Sequence, residues 1–150
     1  MKIGISACLL GKNVRYDSSN KKNDKLLELL KGHELIEICP EFLANFSVPH
    51  LPLEIKDNKV YTSDFEDVTD KLTSGSNVAY NLIKDCDFLI LKSKSPSCGY
   101  RKIYDGSFSG LLIDGNGIFT NIALANNKKV FSDEDFDSIT TYLKENDCNL

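Results

Sequence analysis

Asp87-Phe88-Leu89-Ile90-Leu91-Lys92 decides the fold. Four successive apolar residues leave no polar face for solvent, the pattern of a central strand in a parallel sheet covered on both sides. Ile3-Gly4-Ile5-Ser6-Ala7 is a second such run and stops at Cys8 and a Gly11-Lys12-Asn13 turn, so the chain opens on a buried strand. Glu34-Leu35-Ile36-Glu37-Ile38 ends at Cys39-Pro40, where proline cannot extend a ladder. Lys128-Lys129-Val130-Phe131 supplies a last short strand. Between these runs the apolar period changes. From Asp24 to Lys31 the leucines at 26, 27, 29 and 30 share one helical side, with Asp24 as N-cap and Gly32 beyond the last turn. From Asp67 to Lys84, Leu72, Val78, Ala79, Leu82 and Ile83 line one face; Gly75 is expected to break or bend this helix, leaving Ser76 to Lys84 as its secure part. Ser132-Asp133-Glu134-Asp135 brings an N-cap and three acids to a final helix buried through Phe136, Ile139, Tyr142 and Leu143.

Residues 48–60 carry Pro49, Pro52 and Asp57-Asn58 and read as extended loop and tight turn with little regular structure. Asp114-Gly115 and Asn116-Gly117 mark a turn between short extended pieces. Strands alternating with helices give an α/β fold, a mostly parallel, Rossmann-like sheet flanked by helices. Its ligand site is expected at the carboxyl ends of the strands.

The chain has 150 residues, 41% apolar and 27% charged, which fits one globular domain over 1–150. Eighteen basic against 22 acidic residues leave a net charge of −4 without a sustained Lys/Arg run. Duplex nucleic acid and anionic membrane are therefore not expected as general partners. Met1 to Ser6 is too short and mixed for a signal peptide, and no apolar stretch has the length of a membrane span. The expected compartment is the cytoplasm, and the expected state a monomer or small homo-oligomer.

Cys8, Cys39, Cys86, Cys98 and Cys148 are an odd number, so a complete intrachain disulfide framework is impossible. In a reducing compartment such thiols are buried fillers, catalytic groups or metal ligands. A lone cysteine after a strand is most often a small buried hydrophobe. Cys8 and Cys39, however, stand at the carboxyl ends of predicted strands, and Cys98 lies six residues past a third. Three thiolates from three strand ends form a soft trigonal face suited to an iron–sulfur cluster, Cu(I) or zinc. The absence of any Cys-x-x-Cys pair disfavours a zinc ribbon.

The residues around each cysteine narrow this choice. Ser6-Ala7-Cys8-Leu9-Leu10-Gly11 with Val14-Arg15-Tyr16-Asp17, Cys39-Pro40-Glu41, Lys92-Ser93-Lys94-Ser95-Pro96-Ser97-Cys98-Gly99 and Ile103-Tyr104-Asp105-Gly106-Ser107-Phe108 resemble, in this order, a bacterial family catalogued as a domain of unknown function (DUF523) that includes the iron–sulfur thiouracil desulfidases. The resemblance runs from about residue 3 to residue 120 and touches Glu54-Ile55 and Asp67-Val68-Thr69.

It implies a 4Fe-4S cluster held by Cys8, Cys39 and Cys98 with one iron left open. Such an iron is a Lewis acid with affinity for sulfur. The implied reaction replaces the sulfur of a thiolated small molecule, a thiouracil-like thiocarbonyl, by the oxygen of water and releases sulfide. Glu41 is the expected acid–base group, with Ser95 beside it as a catalytic residue and Ser6 and Ser97 as substrate-binding residues. Arg15 is expected to pair with Asp17 and fix the loop over Cys8. Cys86 and Cys148 fall outside the motifs and are expected to be non-ligands, and His33 and His50 to be surface or loop residues. His50 nevertheless stands where relatives usually carry an arginine, and Ser18 and Ala44-Asn45 where glycines are usual; these departures are expected to reshape the pocket. Two alternatives remain: a non-catalytic iron–sulfur or sulfide carrier, and a structural zinc on the three cysteines and His50.

Overall fold

In chain order the elements are β1 (Lys2–Ser6), a 3-10 turn (Ala7–Leu10), α1 (Asp24–Leu29), β2 (Glu34–Ile38), α2 (Pro40–Leu43), β3 (Leu53–Lys56), β4 (Lys59–Thr62), α3 (Thr69–Ile83), β5 (Phe88–Leu91), β6 (Lys102–Tyr104), β7 (Leu112–Asp114), α4 (Ile118–Ala125), β8 (Val130–Ser132) and α5 (Phe136–Asn146). The computed structural model describes residues 1–146, so Cys148 lies outside the described residues. Strands β2, β1, β5 and β8 form, in that order, a parallel sheet.

The uninterrupted apolar run of β5 is explained by its two covered faces. Phe88 and Ile90 pack with Ile3, Ile5, Leu26, Leu30, Ile139 and Leu143, so α1 and α5 cover one side. Leu89 and Leu91 join Ile38, Ala79, Ile83 and Phe119 on the other, under α3 and α4. Each fully buried side chain of this size contributes about 1.5–3 kcal/mol relative to exposure. After β1 the chain passes through α1 to β2; after β5 it passes through α4 to β8, on the opposite sheet face and at the opposite edge. Connections diverging from two neighbouring parallel strands open a crevice at their carboxyl ends.

The structure corrects several local expectations. Asn23, not Asp24, caps α1: its side chain accepts from Leu26 N at 3.0 Å, and Asp24 lies inside the first turn, where its charge still suits the helix dipole. Residues 53–62 form an antiparallel hairpin whose turn residues Asp57 and Asn58 are both left-handed, at φ 51° and 65°. The two prolines before it mask an alternation in which Leu53, Ile55, Val60 and Thr62 point inward. Strands β6 and β7 pair across residues 105–111, so Asp114-Gly115 follows this hairpin and does not turn it. Helix α4 is new relative to the sequence reading: its β-branched and aromatic residues are weak helix formers, and burial of Phe119, Thr120 and Ala123 holds it. Ser132 ends β8 and does not cap α5. Asp133 accepts from Ser93 N at 2.7 Å, and Asp135 binds Arg101.

Helix α3 runs through Gly75 without a break. The residue is there for close approach, because a Cβ at 75 would overlap Ala44 Cβ and the Pro40 carbonyl of α2. Gly75→Ala is expected to force α2 outward and destabilise the fold by about 1–3 kcal/mol; urea denaturation of the purified variant checks this. Among the described residues no helix is long and apolar enough to cross a membrane.

Candidate active site

Three chain segments deliver the sulfurs. Cys8 lies in the 3-10 turn that leaves β1 and is closed by left-handed Gly11. Cys39 is the extended residue before Pro40 and begins α2. Cys98 sits in the loop after β5. That loop is held from behind by the start of α4: Ile118 N donates to Pro96 O at 2.9 Å, and Phe119 N and Thr120 N donate to Ser97 O at 3.0 and 3.2 Å. First-turn amides have no partner within their own helix, and here the cysteine loop supplies the acceptors. A Cβ on Gly117 would overlap the Ser97 carbonyl and stand 2.8 Å from Cys98 N. Gly117→Ala is therefore expected to push Cys98 out of place and reduce the iron the protein retains after anaerobic reconstitution, measured as iron per chain.

All three cysteines line one cavity of about 710 Å³ at the carboxyl edge of the sheet, with Ser6, Glu41, Ser95 and Ser97. Burial pushes the Cys39 thiol up to about 11. It raises Cys98 further and also lifts Cys8, which Lys92 and Arg15 pull back. Cys86 is buried at the opposite, amino end of β5.

The hydroxyls form a directed chain. Ser95 Oγ accepts from Ser97 N at 3.1 Å and from Cys98 N at 3.0 Å, which uses both of its lone pairs. Its own hydrogen is then directed to Ser97 Oγ, 2.9 Å away, and Ser97 donates to Glu41 Oε2 at 3.2 Å. Ser95 therefore reaches Glu41 through Ser97. Ser97 Oγ also lies 3.8 Å from Cys98 Sγ. Ser6, which faces the same sulfur, accepts from Lys92 N at 2.9 Å and ties the exits of β1 and β5 together. Burial holds the Glu41 carboxyl above its ordinary value, against the opposing pull of His50, the Ser97 hydrogen bond and Arg15.

His50 is a loop residue, as expected, but it is not on the surface and does not line the cavity. Its side chain is 8% exposed, and Nε2 lies 3.5 Å from Glu41 Oε1, the carboxylate oxygen that Ser97 does not bind. Nδ1 is 2.6 Å from the Leu51 carbonyl. A carbonyl only accepts, so Nδ1 carries a hydrogen. His33 meets the N-terminal amine through Nδ1 at 3.0 Å. Arg15 makes no direct pair with Asp17; it donates to Ser19 Oγ at 3.3 Å, and Ser19 binds Asp17. Ser18, Ala44 and Asn45 do not line the cavity: Ala44 faces Gly75, and Ser18 and Asn45 keep the left-handed backbone, φ 64° and 66°, that glycine adopts freely.

The sequence reading gave no role to Glu54 or Lys92. Glu54 Oε1 accepts from Gly106 N and Phe108 N, both at 3.1 Å, and pins the 105–111 loop at the cavity. Lys92 stands at the carboxyl end of β5, a position that itself marks a residue for the site.

The donor set fits an iron–sulfur cluster. Among the described residues no three His, Cys, Asp or Glu side chains converge closely enough to hold a single metal ion. The three soft sulfurs instead stand around a roomy cavity, an arrangement that would suit ligands to different irons of one cluster. Arg15, Lys21, Lys92 and Lys94 line the same cavity and would offset the negative charge of three bound thiolates.

A family model described as 2-thiouracil desulfurase matches residues 3–135. The chain belongs to this family. It is similar to the uncharacterized protein YbbK of Bacillus subtilis (strain 168), with 33% identity over 147 residues, 90% of this chain and 97% of that protein. Among solved structures it is similar to the 4Fe-4S-dependent thiouracil desulfidase TudS, with a TM-score of 0.88 and 34% identity over 95% of this chain and 97% of the other. The α/β architecture and the family expected from the motifs both hold. The carrier and structural-zinc alternatives are not favoured: the solved desulfurase relative is an enzyme, and His50 Nε2 is turned to Glu41.

Proposed function

We propose that this 2-thiouracil desulfurase family member exchanges the thiocarbonyl sulfur of a thiouracil-like small molecule for oxygen, with Cys8, Cys39 and Cys98 as the ligands of a 4Fe-4S cluster. The observation that carries this reading is the meeting of those three cysteines with Glu41 at one cavity. When bound, the cluster supplies an iron without a protein thiolate, a Lewis acid for sulfur. The balance is a thiocarbonyl plus water giving a carbonyl plus hydrogen sulfide, with no net electron transfer.

The protein's own groups move the protons. Glu41 as carboxylate takes one proton from water as its oxygen adds to the carbon and delivers it to the sulfur; it then takes the second from the new hydroxyl as the carbonyl forms and hydrosulfide departs, and releases it to give hydrogen sulfide as the net product. Ser97 holds Oε2 at the cavity wall, and Ser95 fixes the direction in which Ser97 donates. Burial raises the carboxyl above its ordinary value, which makes the carboxylate a better proton acceptor than an exposed one.

Anaerobic reconstitution with iron and sulfide tests this reading. The expected outcome is a broad visible absorption, about four irons per chain, and sulfide release from 2-thiouracil. A colourless protein that takes up zinc in preference to iron overturns the cluster assignment, and a loaded protein that releases no sulfide from any thiolated base overturns the reaction.

A further inference from the structure

We propose that His50 is a positioning residue for Glu41: its imidazole holds Oε1 from behind, so that Oε2 stays at Ser97 on the cavity wall. The inference rests on the reading of Glu41 as the proton-moving group, and its geometry is independent of that reading. His50 Nε2 is buried and has no hydrogen-bond partner. Glu41 Oε1 lies 3.5 Å from it, while the other carboxylate oxygen is committed to Ser97 at 3.2 Å. The carboxylate thus accepts from Ser97 at one oxygen and has the imidazole nitrogen beside the other.

The imidazole is itself immobilised. Nδ1–H is tied to the Leu51 carbonyl at 2.6 Å, and the backbone N–H of His50 donates to Tyr16 O at 2.7 Å. The ring packs against Phe46 at 5.1 Å and Tyr16 at 6.3 Å between centroids. A hydrogen shared between Nε2 and Oε1 makes their contact attractive and directional. An unpartnered buried nitrogen is otherwise costly, so the site keeps it for this contact. His50 is not among the residues that line the cavity, and the cavity carboxylate its Nε2 faces is that of Glu41.

Three variants and one spectrum test the assignment. His50→Phe keeps the ring packing and removes Nε2; His50→Gln returns an amide donor near the Nε2 position. In the reconstituted protein His50→Phe is expected to lower kcat by about tenfold to a hundredfold with KM unchanged, and His50→Gln to recover most of it. Iron content and visible spectrum should equal wild type in both. Nitrogen-15 spectra of the wild-type protein should show Nδ1 bonded to hydrogen and an Nε2 resonance that moves in Glu41→Gln. Wild-type kcat in His50→Phe, a bare Nδ1, or an Nε2 resonance indifferent to Glu41→Gln overturns the proposal. If Glu41→Gln itself turns over normally, the reading of Glu41 has failed; if Glu41→Gln is slow and His50→Phe is not, only the role of His50 has. The spectra decide even where His50→Phe does not fold.

Discussion

Cys98→Ser is expected to lose the visible absorption, the iron and all sulfide release above background. Its sulfur is buried among Ser6, Ser97 and the two other cysteines, and burial raises its thiol far above the ordinary range. Iron binding replaces that proton with a metal, a trade that a soft, polarizable sulfur makes and a hard, more basic serine hydroxyl does not. Cys8→Ser and Cys39→Ser are expected to behave alike, because with two thiolates the cluster keeps no stable attachment. Cys86→Ser is the control. It changes an equally buried cysteine at the amino end of the same strand and should keep full iron and activity after reconstitution. Far-UV circular dichroism separates loss of ligand from loss of fold. Retention of about four irons per chain in any of the three ligand variants would falsify the assignment of that cysteine.

The sheet was legible because its signal is local and redundant. Phe88 to Leu91 has no polar face to expose, and the thiols at 8 and 39 follow directly from strand ends. The β3–β4 hairpin was hidden because Pro49 and Pro52 speak of loop, while the inward alternation of Leu53, Ile55, Val60 and Thr62 is only two residues deep on each strand. Helix α4 was hidden for a different reason. It is stabilised by docking its first-turn amides on the carbonyls of Pro96 and Ser97, a long-range contact that no propensity encodes. Gly75 misled for the same reason: its missing side chain makes room for α2 and does not interrupt α3.

That the three cysteines, Glu41 and the hydroxyls of Ser6, Ser95 and Ser97 line one cavity was legible from the motifs that carry them. Their division of labour was not. That Ser95 serves two backbone amides and aims Ser97 depends on the turn geometry of 95–98. His50 escaped because a histidine between prolines reads as loop. Only the fold shows that its nitrogen ends 3.5 Å from a carboxylate that also belongs to the cavity.

Glu41→Gln is expected to keep the cluster and lower kcat by about 10²–10⁴-fold, with KM little changed. The substitution isolates proton transfer from architecture. Glutamine has the shape of glutamate; its carbonyl oxygen can accept from Ser97 as Oε2 does, and its amide nitrogen takes the place of Oε1 beside His50 Nε2. Both grips on the side chain therefore survive, and the cysteine ligands are untouched, so iron content and visible spectrum should match wild type. What is lost is the capacity to take and return a proton. Burial places the Glu41 carboxyl above its ordinary value, and the base form starts the reaction. Wild-type kcat should then fall as pH drops through that raised value, an acidic limb lying higher than for an exposed carboxylate. The same limb should be absent from the residual activity of Glu41→Gln. A variant with normal kcat removes Glu41 from the proton path. A slow variant that keeps the wild-type limb places the titrating group elsewhere.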